Sequence, residues 1–203
     1  MDKRDWGQYH KITRGIKPKY TAVKAIELFN GRVGTVIDLG CGSGGDTLFF
    51  IENGWECIAT DMEIEEITRV KSQLKVDKQR LLSIKKARFE ELTLEKAELV
   101  NASFCLGFCD KNYFKGLWNR IVDSIKHNGR FAGTFFGDKD SWKRDNKDMT
   151  FLSKEEVTKI FNGFEFEYLI EEERDGHCID ENGELADKHW HIFEVVARKV
   201  KEK

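Results

Sequence analysis

The chain has 203 residues, of which 40% are hydrophobic and 12% aromatic, so it can bury a substantial core within one α/β domain. Its 34 basic and 36 acidic residues nearly cancel, which argues against a broad electrostatic footprint for DNA or RNA. No apolar run approaches the roughly twenty residues of a membrane span. We therefore expect a soluble, cytoplasmic protein whose five cysteines, without a CxxC pair, stay reduced.

Helix and strand signals alternate along the first part of the chain, which is typical of a parallel, doubly wound sheet. Pro18 is placed to open a first helix, because proline is favoured in the first helical turn. The predicted elements that follow are a strand at 35–39, a helix at 46–53, a strand at 55–61, a helix striped by Ile64, Ile67, Val70 and Leu74, a strand at 81–89, a strand running from 97 into a loop, and a helix striped from Leu117 to Ile125 and closed by Gly129.

The remaining part of the chain begins with a fifth strand at 130–136, followed by a polar segment. Ser153 and Glu156 are three residues apart, the spacing of a capping box, and predict a last helix. Two strand-like runs at 164–173 and 191–199 are joined by a polar stretch that contains the dipeptides DG and NG. Such a pattern predicts a β-hairpin at the carboxyl end.

The stretch VIDLGCGSGGD, residues 36–46, joins a buried strand to a glycine-rich turn. The glycines at 40, 42, 44 and 45 lack a Cβ, so their backbone can approach a ligand closely. Asp61 follows about twenty residues after the first glycine, where a βαβ unit places a carboxylate against the two hydroxyls of a ribose. The pattern predicts a site for a nucleotide-type cofactor.

The identity of that cofactor depends on Asp38, because Gly40, Gly42 and Gly45 also satisfy the dinucleotide pattern G-x-G-x-x-G. A pyrophosphate at the following helix N-terminus would face this carboxylate and be repelled by it. S-adenosylmethionine (SAM) instead carries an ammonium and a sulfonium, both positive, and we favour it. NAD and a glycine turn without any ligand remain as alternatives.

These residues fit the first motif of the class I SAM-dependent methyltransferases, (V/I)-x-D-x-G-x-G-x-G, and the chain resembles that family beyond its first thirty residues. The segments LVNASFCLGFC, GRFAGTFFGDKDSW and KHWHIFEVVARK are similar to a bacterial small-molecule subgroup near the tellurite-resistance and thiopurine-type enzymes. The resemblance implies a Rossmann-like α/β fold with a seven-stranded, mostly parallel sheet, a C-terminal antiparallel hairpin and helices on both faces. It implies one domain over residues 1–203, with a core at 31–203 and a lid or cap at 1–30, and leaves no residues for the second domain of a typical nicotinamide dehydrogenase.

The resemblance also implies the cofactor contacts, with S-adenosyl-L-homocysteine (SAH) as the product. Arg88 stands where the family often carries an acid that meets the adenine amino group, so the adenine contact departs from the family pattern. The expected contacts are Asp38 to the methionyl amino group, the main chain of Gly40, Cys41, Gly42, Ser43 and Gly44 around the methionine portion, Asp61 to the ribose, Met62 against adenine, the Phe89 main chain or the Glu90 side chain at the adenine edge, and Asn101 and Ala102 under the sulfonium. Met62 as core filler and Glu90 as a solvated residue are the alternatives.

Methyl transfer from a sulfonium is an in-line displacement, which asks mainly for alignment and exclusion of water. A thiol or metalloid oxyanion needs no base, whereas an alcohol or amine does. No catalytic residue is assigned, and no metal is expected. The candidate bases are Tyr9, His10, Asp110, His189 and His191, of which Asp110 could equally cap a helix and the two histidines could face the core.

Aromatic density beside this end of the sheet indicates a pocket for a small, partly apolar acceptor in a monomer or homodimer, without nucleic acid or membrane as a partner. Cys105 and Cys109 could contact a soft metalloid, although free cysteines are more often small core residues. The residues expected at this pocket are Tyr9, Phe104, Trp142 and His191, together with Trp6, Tyr20 and the rest of 104–108. Trp6 and Tyr9 could instead only attach the amino terminus to the core.

Two other functions stay open. An RNA or protein methyltransferase would keep the same cofactor site and usually adds a recognition domain or a basic arm. A SAM-binding protein without activity is the second, although the cofactor motif shows no evident damage. The only sequence hint of the first is a set of basic residues, Lys3, Arg4, Lys11, Arg14, Lys17 and Lys19, which a solvated face also explains.

Overall fold

A computed structural model describes residues 5–180 and 183–200, so Lys3 and Arg4 of the basic set lie outside the described residues. The helices are α1 Trp6–Ile12, α2 Tyr20–Leu28, α3 Gly45–Glu52, α4 Glu65–Gln73, α5 Val76–Gln79, α6 Lys111–Ser124, α7 Trp142–Asp145 and α8 Lys154–Ile160. The strands are β1 Thr35–Leu39, β2 Glu56–Asp61, β3 Leu82–Lys86, β4 Ala97–Ala102, β5 Ile125–Phe136, β6 Phe164–Ile179 and β7 Leu185–Lys199. None of these helices is long and apolar enough to cross a membrane.

The seven strands form one sheet in the order β3-β2-β1-β4-β5-β7-β6. Strands β1 to β5 pair in parallel, while β7 runs antiparallel to both β5 and β6. The predicted fold class, with its C-terminal antiparallel hairpin, is therefore confirmed. The carboxyl ends of β1, β2 and β4 meet at one edge of the sheet, where open α/β sheets bind ligands.

Two hydrophobic layers cover the two faces of the sheet, because side chains alternate along each strand. On β5, Phe131 and Phe135 belong to the layer beneath α6 and α8, whereas Ala132 belongs to the layer beneath α2, α3 and α4. Trp118 of α6 packs edge-on against Phe131 and Phe161, with ring centroids 5.2 and 4.9 Å apart. The buried strands thus explain the continuous apolar runs in the sequence.

The predicted end of α6 at Gly129 is wrong. The helix ends at Ser124, because Ile125 already has extended backbone angles (φ −71°, ψ 123°) and begins β5. Gly129 lies within β5 and allows its backbone to approach β4 closely, because a Cβ there would lie only 2.7 Å from the carbonyl oxygen of Glu98. The short helices α1, α5 and α7 were not predicted, because each has too few residues to show a helical period.

The β6–β7 hairpin is longer than the sheet it belongs to. Pairing between β5 and β7 stops at Phe136 and Ile192, but β6 and β7 stay paired as far as Ile179 and Leu185. Residues 173–179 and 185–191, here called the distal hairpin, therefore project beyond the carboxyl edge of the sheet. This projection places them over the ends of the central strands.

The capping box predicted at α8 is present, with Ser153 accepting from the Glu156 backbone and Glu156 accepting from the Ser153 backbone. We predict that Ser153→Ala lowers the free energy of unfolding by about 1 kcal/mol, because an N-terminal amide loses its acceptor. Urea unfolding followed by circular dichroism measures the change. Thr158→Ala, in the same helix but exposed, is the control and should change stability by less than about 0.5 kcal/mol; equal losses in both variants would contradict the role of the cap.

Candidate functional site

The glycine turn between β1 and α3 has backbone angles that few other residues adopt. Gly40, Gly42 and Gly44 have φ of 61°, 52° and 87°, in the left-handed region that favours glycine. The turn is also packed tightly, since a Cβ on Gly40 would lie 2.4 Å from the Cβ of Cys105. The Cys41 amide donates to the Thr60 carbonyl at 3.0 Å and so fixes the turn against the end of β2.

Asp38 lies at the centre of a buried hydrogen-bond network at the sheet edge. Its carboxylate accepts from the Thr47 hydroxyl of α3 and from Asn101 Nδ2 of β4, the latter at 2.8 Å. Asn101 Nδ2 also lies 3.0 Å from Asp46 Oδ2, and the other oxygen of Asp46 accepts from the Lys19 backbone amide at 2.7 Å. Two carboxylates therefore share one amide donor out of reach of bulk water.

Burial, together with the nearby negative charge of Asp46, raises the pKa of Asp38 to about 7. The hydrogen bonds from Thr47 and Asn101 oppose this shift because they favour the ionised form. An acid that changes its charge close to neutral pH beside a ligand cavity is typical of a functional site. A cation placed next to Asp38 would favour its ionised form.

Asp61, at the end of β2, faces the glycine turn. Its Oδ2 accepts from the Gly42 amide at 2.9 Å, and its Oδ1 accepts from the Glu63 amide at 3.0 Å. The imidazole Nε2 of His10 lies 4.0 Å from Oδ2. These contacts hold the carboxylate in one orientation, and each oxygen keeps a lone pair for a further donor.

Residues 5–19, here called the N-terminal segment, lie across the glycine turn. Ser43 Oγ donates to the Thr13 carbonyl at 2.9 Å. Arg14 binds Glu66 of α4 through two hydrogen bonds of 2.9 and 2.7 Å; with Arg69, it lowers the pKa of Glu66 to about 2. A Cβ on Gly45 would lie 2.7 Å from the Ile16 carbonyl oxygen, so the segment and the start of α3 are in close contact.

A cavity of about 600 Å³ lies between this segment, the sheet edge and the distal hairpin. Carboxylates and the glycine turn line one end, and aromatic rings line the other. The tip of the hairpin approaches α1, since a Cβ on Gly183 would be 3.3 Å from Ile12 Cδ1. The site residues predicted from the sequence that line this cavity are Tyr9, Asp38, Gly40, Cys41, Gly42, Ser43, Asp61, Met62, Phe89, Glu90, Phe104 and Trp142.

Three of the predicted cofactor residues do not line the cavity. Gly44 packs towards α4, where a Cβ would lie 2.7 Å from Ile67 Cδ1. Asn101 and Ala102 are fully buried. Asn101 does not reach the cavity surface; its side-chain amide contacts Asp38 and Asp46 and so orients their carboxylates. The Phe89 carbonyl accepts from Arg120 Nη2 at 2.7 Å, so part of its main chain is already engaged.

The structure does not place His191 in the acceptor pocket. The ring is 1% exposed; its Nδ1 accepts from the Lys139 amide at 3.1 Å, and its Nε2 lies 3.2 Å from Glu171. It fills the space above Gly137, where a Cβ would come within 2.1 Å of the ring. His191 is therefore held inside the fold, as the alternative for this strand anticipated.

Three other candidates, Asp110, His189 and Tyr20, do not line the cavity. Asp110 caps α6 by accepting from the Asn112 amide at 2.8 Å. His189 lies outside the cavity and contacts Asp175 at 2.7 Å, and Tyr20 packs on Tyr168 with ring centroids 5.1 Å apart. Of the candidate bases, the structure brings only Tyr9 and His10 to the cavity.

The two cysteines considered as metalloid contacts are thiols rather than thiolates. Burial raises the pKa of Cys105 well above its usual value and raises that of Cys109 to about 12. Cys105 lines the cavity but donates to the Leu39 carbonyl at 3.0 Å, while Cys109 is fully buried. Because the thiolate is the form that binds soft ligands, neither residue is suited to that contact.

The distal hairpin was not predicted to be part of the site. Its residues at the cavity are Arg174, His177, Cys178, Ile179, Leu185 and Trp190. The strand pattern predicted that a hairpin exists, but its reach depends on where pairing with β5 stops. Asp46 and Thr47 were not predicted as site residues either, because in the sequence they mark only the start of a helix.

The strand order and the ligand-side edge define the fold of the class I methyltransferases. Residues 36–129 match the family model of a methyltransferase domain. This match covers just under half of the chain, and the resemblance indicated by its motifs is confirmed. The comparison with curated proteins found no matching relative.

Solved structures agree on the fold. A 1,6-didemethyltoxoflavin-N1-methyltransferase from Burkholderia thailandensis, crystallised with 1,6-didemethyltoxoflavin and S-adenosylhomocysteine, is 18% identical with a TM-score of 0.64, covering 89% of this chain and 77% of that chain. TehB from Haemophilus influenzae is 18% identical with a TM-score of 0.67, covering 88% of this chain and 61% of that chain. The N-methyltransferase NodS from Bradyrhizobium japonicum is 12% identical with a TM-score of 0.65, covering 89% and 94%. At these identities the similarity establishes the fold alone.

The raised pKa of Asp38 has a consequence for stability. Between its usual pKa of 3.8 and about 7, the folded protein holds a proton that the unfolded chain has released, so this group lowers stability as the pH rises through that range. We predict that the free energy of unfolding of Asp38→Asn, minus that of the wild type, increases by more than about 1 kcal/mol between pH 4.5 and 7.5. Urea unfolding at several pH values measures it.

The control for this experiment is Asp77→Asn, which changes an exposed carboxylate of α5. Its difference from the wild type should stay flat across the same pH range. A flat difference for Asp38→Asn as well would mean that Asp38 ionises in the folded protein as it does in the unfolded chain.

Proposed function

We propose that this protein is a SAM-dependent methyltransferase that acts on a small-molecule acceptor. The observation that carries the proposal is the set of carboxylates at the glycine-turn end of the cavity. Asp38, Asp46 and Asp61 all line that end, and the first two share the amide of Asn101 in a buried network. This concentration of negative charge would attract a cation, which would favour the ionised form of Asp38, and SAM carries two positive groups on its methionine portion.

The residues present fit SAM part by part. Asp38 would accept from the ammonium group, and the free lone pairs of Asp61 would accept from the two ribose hydroxyls. The positive φ angles of Gly40 and Gly42 leave main chain without a Cβ against the methionine portion. Met62, Ala87, Phe89 and Glu90 line the far side of the cavity, where the adenine would lie.

A dinucleotide fits this end poorly. Asp46 is in the first turn of α3, where the pyrophosphate of NAD would bind the helix N-terminus. Its carboxylate is buried and lies beside that of Asp38. A pyrophosphate would add negative charge to two buried carboxylates, and the NAD alternative is therefore disfavoured.

The chemistry needs alignment more than acid–base catalysis. A lone pair of the acceptor forms a bond to the methyl carbon of SAM, the carbon–sulfur bond breaks, and its electron pair stays on sulfur. The chain's own residues hold the two reactants in line and exclude water, with the N-terminal segment and the distal hairpin as the two covers. Tyr9 and His10 are the groups available to accept a proton from an alcohol or amine acceptor.

The size of the cavity supports a small acceptor. A volume of about 600 Å³ must hold both SAM and the acceptor, which is within the size range of small-molecule sites. The described basic residues do not form an extended arm, because Arg14 is paired with Glu66 and Lys17 and Lys19 line the cavity. We also propose the domain division expected from the resemblance, with residues 1–30 as a cap segment and a helix, and residues 31–203 as the core.

Calorimetric titration tests the cofactor. We predict that SAM and SAH bind with micromolar affinity, that NAD does not bind, and that Asp61→Ala weakens SAH binding by about 100-fold, because two hydrogen bonds to a charged acceptor are lost. Asp77→Ala, an exposed carboxylate on α5, is the matched control and should bind as the wild type does. Binding of NAD alone, or unchanged SAH binding in Asp61→Ala, would contradict the proposal.

The pH dependence of SAH binding tests the position of the ammonium. Because Asp38 has a pKa of about 7 and must be ionised to pair with a cation, we predict that SAH affinity rises between pH 5.5 and 8 and that binding at pH 6 releases protons into the buffer. In Asp38→Asn the affinity should be lower and the dependence flat. A pH dependence of SAH affinity that persists in Asp38→Asn would place its origin in another group.

The alternative of a non-catalytic SAM-binding protein is tested separately. Product formation from any acceptor would exclude it.

A further inference from the structure

The aromatic end of the cavity is a continuous wall of rings. Trp142 contacts Trp190, Phe136 and Phe108, with ring centroids 5.7, 5.6 and 5.9 Å apart. Phe108 continues to Trp6, with centroids 4.7 Å apart in an edge-to-face arrangement. All five rings line the cavity. They come from the N-terminal segment, the loop after β4, the end of β5, α7 and the distal hairpin, so both covers and the sheet contribute to one surface.

A buried cation lies behind this wall. Lys188 Nζ is 3.8 Å from the Trp142 ring centroid and 4.4 Å from that of Trp190. It is paired with Asp140, and both side chains are 0% exposed. Lys188 does not line the cavity although both tryptophans do, so the ammonium lies on the side of the rings away from the cavity.

This arrangement determines which ligands the rings can take. The electron-rich face of an aromatic ring attracts a cation, but here that attraction is already used by Lys188 and, on Trp190, also by Arg174, whose Cζ is 6.0 Å from the ring centroid. The internal ammonium draws π-electron density away from the cavity, so the exposed faces are poorly suited to a quaternary ammonium or an amine cation. They keep their flat apolar area and their ability to stack on another ring.

The charges at this end agree with that conclusion. The basic side chains of Lys19 and Arg174 line the cavity here, and Lys19 Nζ is 5.1 Å from the Phe104 ring centroid. Among the described residues, the lining carboxylates are Asp38 in β1, Asp46 in the helix after β1, Asp61 at the end of β2 and Glu90 after β3. These strands lie on the opposite side of the sheet order from β5 and β7. The acids near this end are already paired, Asp140 with Lys188 and Glu172 with Arg174. A cationic acceptor would therefore meet positive side chains and no described carboxylate that lines the cavity here.

We propose that the acceptor is a planar aromatic or heteroaromatic molecule, uncharged or anionic, which stacks on Trp142 and Trp190. The proposal rests on the proposed function and narrows its substrate class. It disfavours a metalloid oxyanion, which offers the rings no apolar surface, and an aliphatic amine, which is a cation at neutral pH. Lys188 and Asp140 act as positioning residues, because Asp140 also accepts from the Trp142 backbone amide at 3.0 Å and so holds the start of α7.

The test is a panel of matched probes titrated into the protein saturated with SAH. The probes are 2-naphthol, 2-naphthoate, the saturated decahydro-2-naphthoate, 2-naphthyltrimethylammonium and sodium tellurite, and binding is followed by calorimetry. We expect 2-naphthol and 2-naphthoate to bind at least ten times more tightly than the other three. Trp142→Leu and Trp190→Leu should each remove most of this preference, whereas Tyr113→Leu, an exposed ring on α6 away from the cavity, should leave it unchanged.

The outcomes separate this proposal from the proposed function. Failure of SAH to bind would overturn the proposed function and this proposal with it. Binding of SAH with equal affinity for planar and saturated probes, or with preference for the ammonium probe or tellurite, would overturn the substrate class alone. In the double variant Lys188→Met/Asp140→Asn, which removes the buried cation and its counter-ion together, we expect the ammonium probe to gain at least fivefold relative to 2-naphthoate; no gain would contradict the role given to Lys188.

Discussion

A buried carboxylate at the centre of the sheet is the constraint on which this site depends. Asp38 is only 2% exposed, so the fold must supply its hydrogen-bond partners. It does so from two elements, with Thr47 on α3 and Asn101 on β4. Asn101 also contacts Asp46 of α3, which accepts from the Lys19 backbone amide. The same hydrogen bonds that satisfy the acid also fix the glycine turn, the first turn of α3 and the end of the N-terminal segment relative to one another.

The site is completed by two parts of the chain that lie outside the central parallel strands. The N-terminal segment crosses the glycine turn and is held by Ser43 and by the Arg14–Glu66 pair. The distal hairpin projects from the other side and brings Trp190 and Arg174 to the cavity. In the proposed function, the cofactor therefore lies at the carboxyl edge of the parallel strands, while the acceptor lies against the N-terminal segment and the distal hairpin.

The parts of the fold and of the site that depend on local sequence could be predicted. The glycine turn, Asp61 and the capping box at Ser153 each need only a few neighbouring residues with defined backbone preferences. The parts that depend on distant strand register could not. Gly129 resembled a helix end but is needed for close approach to β4, and His191 resembled a pocket residue until its partners Lys139 and Glu171 were known. Lys188 beneath two tryptophans is likewise visible only once β7 is paired.

The most direct test of the central claim is the crystal structure of the protein with SAH. The account predicts that both ribose hydroxyls lie within about 3.2 Å of the Asp61 carboxylate, the hydrogen-bonding limit, and that the amino group lies at the buried carboxylate of Asp38, with the aromatic wall left open beside the sulfur. SAH bound elsewhere, or bound here with its amino group turned away from Asp38, would contradict the account.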